Sequence, residues 1–444
     1  MKRQDFTIHL ILFSFFLKQF ARNLIYPNLI VISRDFFGEG TFKVFEMGLL
    51  ITALMGGSAV ACLLFGILAD KFSRKIMAII STMFWIFGLI LSAYGINYYI
   101  LLLGFLLLGF GSGGFIPVAQ TIIADGTPPN KRGYYYGLSS IFMLLGMICG
   151  LLVASIFSPF WQTPYFIAAF LTIITLIFYC IFGKNYQVGF SEEVIQNKTD
   201  NDENFVYNYH ITWKTFKNLF RNKTNVLVFI EGIFSVIGFT IIVFCLYPFL
   251  IDGPAHISPL IVSLIYILFI TPFQVLSIFF WGKMGDKFEK KNNKIRIWFI
   301  VISITITTPY FILVFWIQGA PAKSTDSLEA ALMNPGILTF IILFALGSFL
   351  LGTYDSNQPP IINAINLPET RGSVYALNRF VEELGGAIGP LLLGIIFESV
   401  NHHFSTAITI GMLFFIPGTI CWWIVLKTFS RDREEMLKIL KEHS

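Results

Sequence analysis

Charge is scarce in this chain. Only 13% of its 444 residues are Asp, Glu, Lys or Arg, against 55% hydrophobic residues and a mean hydropathy of +0.72. A soluble fold of this length has no core large enough to hide that much apolar surface, so soluble globular classes are excluded. Cysteine is scarce as well. Cys62, Cys149, Cys180, Cys245 and Cys421 are odd in number, far apart and set in apolar stretches, which excludes a disulfide framework or a cysteine metal cluster. The six histidines are His9, His210, His256, His402, His403 and His443, and none sits mid-stretch beside an acid or a cysteine. No H-E-x-x-H, G-x-S-x-G or G-K-[S/T] phosphate loop occurs. The chain therefore does not read as an enzyme or a direct ATP-driven pump, and it calls for no cofactor and no metal. Stretches such as "LLLGFLLLGF" lack the alternation of a membrane β-strand, which excludes a β-barrel.

What is present is apolar residues in blocks, each long enough to cross a bilayer as a helix. The sequence predicts an all-α polytopic membrane protein with twelve spans, at approximately 6–33, 44–68, 76–95, 99–124, 133–157, 164–183, 224–251, 259–281, 295–317, 336–362, 372–397 and 403–427. Lys2 and Arg3 precede the first run as in a secretory signal, but the run continues to Ile32 with Lys18 and Arg22 inside it, so it reads as the first span.

Basic residues set the orientation. With both termini cytoplasmic, 25 of the 31 Lys and Arg residues fall on the cytoplasmic side. Only Arg34, Lys43 and Lys323 lie in the opposite loops, and Lys18, Arg22 and Arg379 lie within spans. The expected location is the plasma membrane. The net charge of +5 then reflects loops facing anionic lipid and requires no nucleic acid. The chain is read as a monomer.

One polar segment, 184–222, interrupts the pattern with "SEEVIQNKTDNDEN". Its later part, "YHITWKTFKNLFRN", places Trp213, Phe216 and Phe220 on one helical face among basic residues, as a helix lying in the membrane interface does. The division expected is a six-helix bundle over 1–183, a cytoplasmic linker over 184–222, a second six-helix bundle over 223–428 and a cytoplasmic tail over 429–444. The two bundles echo one another. "GILADKFSRK" from Gly66 and "GKMGDKFEKK" from Gly282 share five of ten positions, "PNKRGYYYGL" from Pro129 parallels "PETRGSVYAL" from Pro368, and "IYPNLI" from Ile25 parallels "LYPFLI" from Leu246. Parallel repeats of this kind mark duplicated transporter folds. "GFGSGG", Gly109–Gly114, has the spacing of a dinucleotide loop but lies inside a span, where small residues serve helix packing.

On these motifs the chain resembles the major facilitator superfamily over its whole length. Gly66, Asp70, Lys71, Ser73, Arg74 and Lys75 are similar to that family's loop between helices 2 and 3, with Ser73 where Gly is usual. Gly282, Asp286, Lys287, Lys290 and Lys291 form the copy after helix 8, and "ADGTPPNKRG" resembles the loop after helix 4. The resemblance implies two pseudo-symmetric six-helix halves, alternating access and a cytoplasmic latch in which an Asp caps a helix end and cations pair with acids. The residues expected there are Gly66, Asp70, Arg74, Lys75, Asp125, Arg132, Gly282, Asp286, Lys290 and Arg371, with Asp125 the partner acid in the first half. A plain positive-inside anchor accounts for one such loop, but less well for two at matched places. The drug-antiporter pattern is not met, since Phe105 and Leu108 stand where it has Arg and Gln, and "GMICG" from Gly146 lacks its proline.

Charges inside spans cost roughly 2.5–3.5 kcal/mol each at mid-membrane, so each needs a partner, water or a task. Lys18 and Arg22 are four apart and share a helical face with Ser14 and Tyr26. The expected acids are Glu231, Asp355 in "TYDSNQ", and Glu382 and Glu383 beside Arg379. Fixed ion pairs between helices explain these residues as structure. A functional site explains them as substrate contacts (Lys18, Arg22, Tyr26, Glu231, Asp355, Arg379) and coupling carboxylates (Glu231, Glu382, Glu383). The expected activity is secondary transport of a small organic, anionic solute, with a proton as possible coupling ion. The alternatives are a membrane receptor that keeps the fold without moving solute, and a transporter of a lipid-like or drug-like molecule.

Overall fold

The computed structural model describes residues 3–38, 42–186, 220, 222–253, 255–317, 327–367 and 370–443. Twelve helical spans are present: span 1 Phe6–Phe37, span 2 Val44–Ala69, span 3 Arg74–Tyr94, span 4 Tyr98–Gly126, span 5 Lys131–Ile156, span 6 Thr163–Phe182, span 7 Lys223–Ile251, span 8 Pro259–Glu289, span 9 Ile295–Trp316, span 10 Pro335–Ile365, span 11 Arg371–Ser399 and span 12 Phe404–Lys438. All twelve expected spans appear, and the chain is an all-α integral membrane protein. The interfacial helix expected around Trp213 and Phe216, and most of the 184–222 linker, lie outside the described residues.

The chain divides into two compact units, Met1–Thr41 with Ala53–His210, and Phe42–Thr52 with Ile211–Ser444. Phe42–Thr52, at the start of span 2, thus belongs with the second unit. Thr52 Oγ1 donates to the Ala387 carbonyl at 2.6 Å, and Gly48 lies against the carbonyl of Pro390.

Within the first unit, spans 3 and 4 approach until backbones touch. A Cβ on Gly88 would meet the backbone of Leu108, and one on Gly111 would meet the backbone of Trp85. Gly109, Gly113 and Gly114 face Leu54, Ser58 and Phe65 of span 2, so the "GFGSGG" run is a packing surface. Spans 1 and 5 meet where Gly146 and Gly150 abut the carbonyls of Phe16 and Phe20. In the second unit Gly385 and Gly389 of span 11 abut the carbonyls of Ile233 and Ile237 on span 7. The pairs Gly146/Gly385 and Gly150/Gly389 keep the offset that separates Pro129 from Pro368, so the duplication extends to single helix contacts.

Among the described residues three spans depart from a plain helix. Span 1 is a helix over Arg3–Asn23, a 3-10 turn over Tyr26–Asn28 and a second helix over Leu29–Phe37. Pro27 has no N–H, which interrupts the ladder at mid-span. The Asn23 and Asn28 amides donate to the carbonyls of Gln19 and Leu24 at 2.7 and 3.1 Å, and the second covers the carbonyl left bare where the Asn28 N–H turns to Ile25. The echo of this stretch, "LYPFLI", stays helical through Ile251 despite Pro248. Span 8 widens to a π turn over Tyr266–Ile270, before Pro272. Span 12 bends at Leu413 and then runs helical from Phe415 to His443. The helix therefore continues through the stretch read as a tail, where buried Asp432 accepts from Thr224 N and Oγ1 at 2.9 and 2.7 Å and caps the start of span 7.

Candidate functional site

The residues expected in the loop latch fall into two sets, one per unit. In the first unit Arg74, at the start of span 3, pairs with Asp125, near the end of span 4, and both side chains are nine-tenths buried. Arg74 also donates to the Thr121 carbonyl at 3.3 Å. Lys75 Nζ donates to the carbonyls of Cys180 and Gly183 at 2.9 and 2.7 Å and so caps the end of span 6. The side chain of Asp70 lies outside the described residues.

The second unit builds its set from different positions. Arg296, buried at the start of span 9, pairs with Asp286, with Glu289 at 2.7 Å and with the Asn357 amide oxygen at 3.1 Å. Lys294 donates to the Leu426 carbonyl at 3.0 Å and ties the start of span 9 to the side of span 12. The sequence reading assigned the cation's place to Lys290, which is instead exposed. The motif's alignment carried the expectation to Lys290, but the cations that reach the neighbouring helices lie at and just before the start of span 9. Gly66 and Gly282 each leave ordinary contact distance for a Cβ, 3.9 Å from Pro117 and from Ser356 respectively, so packing inside either unit does not demand glycine there.

The echo at Pro129 and Pro368 encodes two further hydrogen bonds, each made twice. Arg132 Nε donates to the Ala124 carbonyl at 2.9 Å, and Arg371 donates to the Asn363 carbonyl at 3.1 Å. Tyr136 OH donates to the Gln120 carbonyl at 3.2 Å, and Tyr375 OH donates to the Pro359 carbonyl at 2.9 Å. Each arginine and each tyrosine therefore ties the start of one span to the end of the one before it. The tyrosines were not among the expected residues, though the shared spacing Arg-Gly-x-x-Tyr announces them.

Lys18, Arg22 and Tyr26 stand at the break in span 1. Lys18 is 3% exposed, and Arg22 occupies the last turn before the break. Helix carbonyls at that end carry partial negative charge, which favours a cation in the last turn. Tyr26 opens the 3-10 turn and is half-buried.

In the second unit spans 7, 10, 11 and 12 bring the expected acids together. Glu231, fully buried, accepts from Ser235 Oγ at 2.5 Å and from Tyr354 OH at 3.1 Å. Tyr354 OH also lies 3.5 Å from Glu382 Oε1 and accepts from the Gln358 amide. Glu382 is held by Asn378 Nδ2 at 2.7 Å and by Arg379 at 3.5 Å, while Arg379 pairs with Glu383 at 2.6 Å. Asp355 is exposed, and its charge interacts with Glu382 and Arg379. Trp422, fully buried, stands edge-on to Tyr354 at 6.4 Å. Among the described residues Glu231 has hydroxyl partners and no ion-pair partner, whereas Glu382 and Glu383 share one arginine. Ser235, Tyr354, Gln358, Asn378 and Trp422 were missed from sequence, where they read as ordinary span residues.

The comparisons with known proteins agree with this architecture. A family model described as the Major Facilitator Superfamily matches residues 11–253 and 228–440. The chain is 25% identical over 388 residues to a Bacillus subtilis protein named as a niacin/nicotinamide transporter, NiaP, covering 85% of this chain and 86% of that one. It is 23% identical over 405 residues to the quinolone resistance protein NorA of Staphylococcus aureus, covering 90% and 91%. A bacterial homologue of the human lysosomal transporter Spinster, solved in an inward-facing and occupied conformation, superimposes with a TM-score of 0.72 at 15% identity over 98% of this chain and 99% of that one. The nucleoside transporter NupG gives 0.66 at 16% identity, covering 97% and 99%. With the family model matching both units, from residue 11 to residue 440, the chain belongs to the major facilitator superfamily of membrane transporters.

Proposed function

We propose that this chain moves a small organic anion across the membrane by alternating access, with a proton as coupling ion. The observation that carries the substrate class is the pair Lys18 and Arg22, one helical turn apart beside the break in span 1, with Lys18 almost wholly buried. Two cations on one face of a membrane-spanning helix suit an anionic ligand group. The guanidinium of Arg22 can hold a carboxylate by two parallel hydrogen bonds, and Lys18 adds a point charge. Niacin, in the name of one relative, is a small aromatic carboxylate, and nicotinamide is its uncharged amide, so the two form a matched pair. Purified protein should be stabilised in thermal shift by a set of small carboxylates more than by their amides, and Arg22→Ala should abolish the difference. Equal stabilisation by acid and amide would remove the anionic assignment.

The coupling reading rests on the second unit. Glu231 is fully buried, with the hydroxyls of Ser235 and Tyr354 on it and no ion-pair partner among the described residues, an arrangement in which a carboxyl group can take up and release a proton. Glu382 and Glu383 are the other carboxyl groups of the same cluster. A second substrate reading also has an observation behind it. Glu231, Asp355, Glu382 and Glu383 outnumber Arg379 in this cluster, which favours a cationic, drug-like solute, and one relative is named for quinolone resistance. Binding that survives Arg22→Ala but is lost in Glu382→Gln would select it.

A further inference from the structure

One hydroxyl in the second unit faces two carboxyl groups. Tyr354 OH lies 3.1 Å from Glu231 Oε2 and 3.5 Å from Glu382 Oε1. The Gln358 amide donates to the same oxygen, which leaves the single phenolic hydrogen to point outward. It can serve Glu231 or Glu382, but not both. The two carboxyl groups differ in access. Glu231 is fully buried, whereas the Glu382 side chain is 13% exposed and adjoins Arg379, which is 50% exposed, and the exposed Asp355. Among the described residues Glu383 on span 11 and Cys421 on span 12 are further titratable groups around the pair. Ser235, another partner of Glu231, lies one turn along the same span and has no second carboxyl group beside it among the described residues.

We infer that Tyr354 is the proton relay between Glu382 and Glu231. In the forward step the O–H bond of protonated Glu382 breaks and its hydrogen joins the Tyr354 oxygen. The tyrosine's own hydrogen leaves at the same time and forms an O–H bond on Glu231 Oε2. One proton is transferred, Tyr354 ends neutral as it began, and Glu382 ends as the carboxylate, held by Asn378 and Arg379. Gln358 keeps one lone pair of the phenol oxygen engaged and so aligns the other with a carboxyl group. Water-facing Glu382 is the loading end and Glu231 the storage end. The inference rests on the proposal that Glu231 carries the coupling proton, and it adds the path by which that proton arrives.

Infrared spectroscopy of the full-length protein in lipid tests it without a known substrate. The C=O stretch of protonated Glu231 is identified as the carboxylic band lost in Glu231→Gln, and its shift is followed after transfer to D2O. Exchange in the wild type should be fast. Tyr354→Phe, which keeps the ring against Trp422, should retain the band but slow its exchange by about a hundredfold, the usual scale for losing a positioned proton donor. Glu382→Gln should slow it as well and serves as the second variant should Tyr354→Phe fold poorly, as judged by melting temperature. Exchange at the wild-type rate in either folded variant overturns the relay while leaving Glu231 as the proton site. Absence of any band that depends on Glu231, across the pH range in which the protein is folded, overturns the coupling reading itself.

Discussion

Asp125→Asn and Asp286→Asn are the same chemical change at the acids that face the arginines opening spans 3 and 9, and the structure assigns them different costs. Asp125 is 9% exposed at the side chain and faces Arg74, itself 8% exposed. The amide is nearly isosteric, so no cavity opens, but a buried guanidinium loses the carboxylate it faces. Breaking a buried pair from one side costs about 3–5 kcal/mol. Asp286 is 77% exposed, and its partner Arg296 keeps Glu289 at 2.7 Å and Asn357 at 3.1 Å. An exposed partner is worth about 0–1 kcal/mol. Reversible unfolding of the two full-length variants in the same micelle should therefore separate them by at least about 2 kcal/mol, from those two ranges. The double variant Arg74→Met with Asp125→Leu should recover most of the loss, because apolar residues of similar volume replace a buried pair at little net cost. Equal destabilisation by the two single substitutions, or no recovery in the double variant, would refute the reasoning.

Other outcomes follow from single contacts. Arg22→Lys should keep the charge yet weaken anion binding, read by titration calorimetry, because an ammonium cannot make the two-point contact. Gly385→Leu should lower the melting temperature sharply, since even a Cβ meets the carbonyl of Ile233, and overpacking costs about 1–3 kcal/mol or more. Gly66→Ala should leave stability unchanged in the same assay, because its nearest neighbour would stand 3.9 Å away. Asp432→Ala should cost about 1–2 kcal/mol through the lost cap on span 7 and should raise amide exchange in that helix's first turn.

The spans were legible because hydrophobic length is a strong one-dimensional signal, and charge placed most of their ends within a few residues, whereas spans 8 and 12 run on to Glu289 and Lys438, past the expected 281 and 427. The echo at Pro129 and Pro368 was legible as a repeat, but its Arg-Gly-x-x-Tyr spacing did not disclose hydrogen bonds to Ala124 and Gln120, which depend on the fold of the span 4–5 turn. Arg296 escaped notice for a related reason. The motif was read along the loop, whereas the helix start brings a later cation beside Asp286. The break in span 1 was hidden because "IYPNLI" and "LYPFLI" look alike, and only the first places an asparagine after the proline to donate to the vacated carbonyl. Glu231, Asp355, Arg379, Glu382 and Glu383 stood out as charges among apolar residues. Tyr354 did not, since a tyrosine in a span is ordinary until two carboxyl groups are found beside its hydroxyl.

The central claim is that this chain carries an organic anion across a membrane in exchange for work done by a proton gradient. Sealed proteoliposomes holding the purified protein, given labelled niacin and an imposed proton gradient, test it most directly, with other small carboxylates run in parallel. Wild-type protein should accumulate at least one of these acids only when the gradient is present, Arg22→Ala should accumulate none, and Glu231→Gln should lose the dependence on the gradient. Saturable binding of an acid by the same protein with no flux in either direction would contradict the account and make the chain a receptor built on a transporter fold.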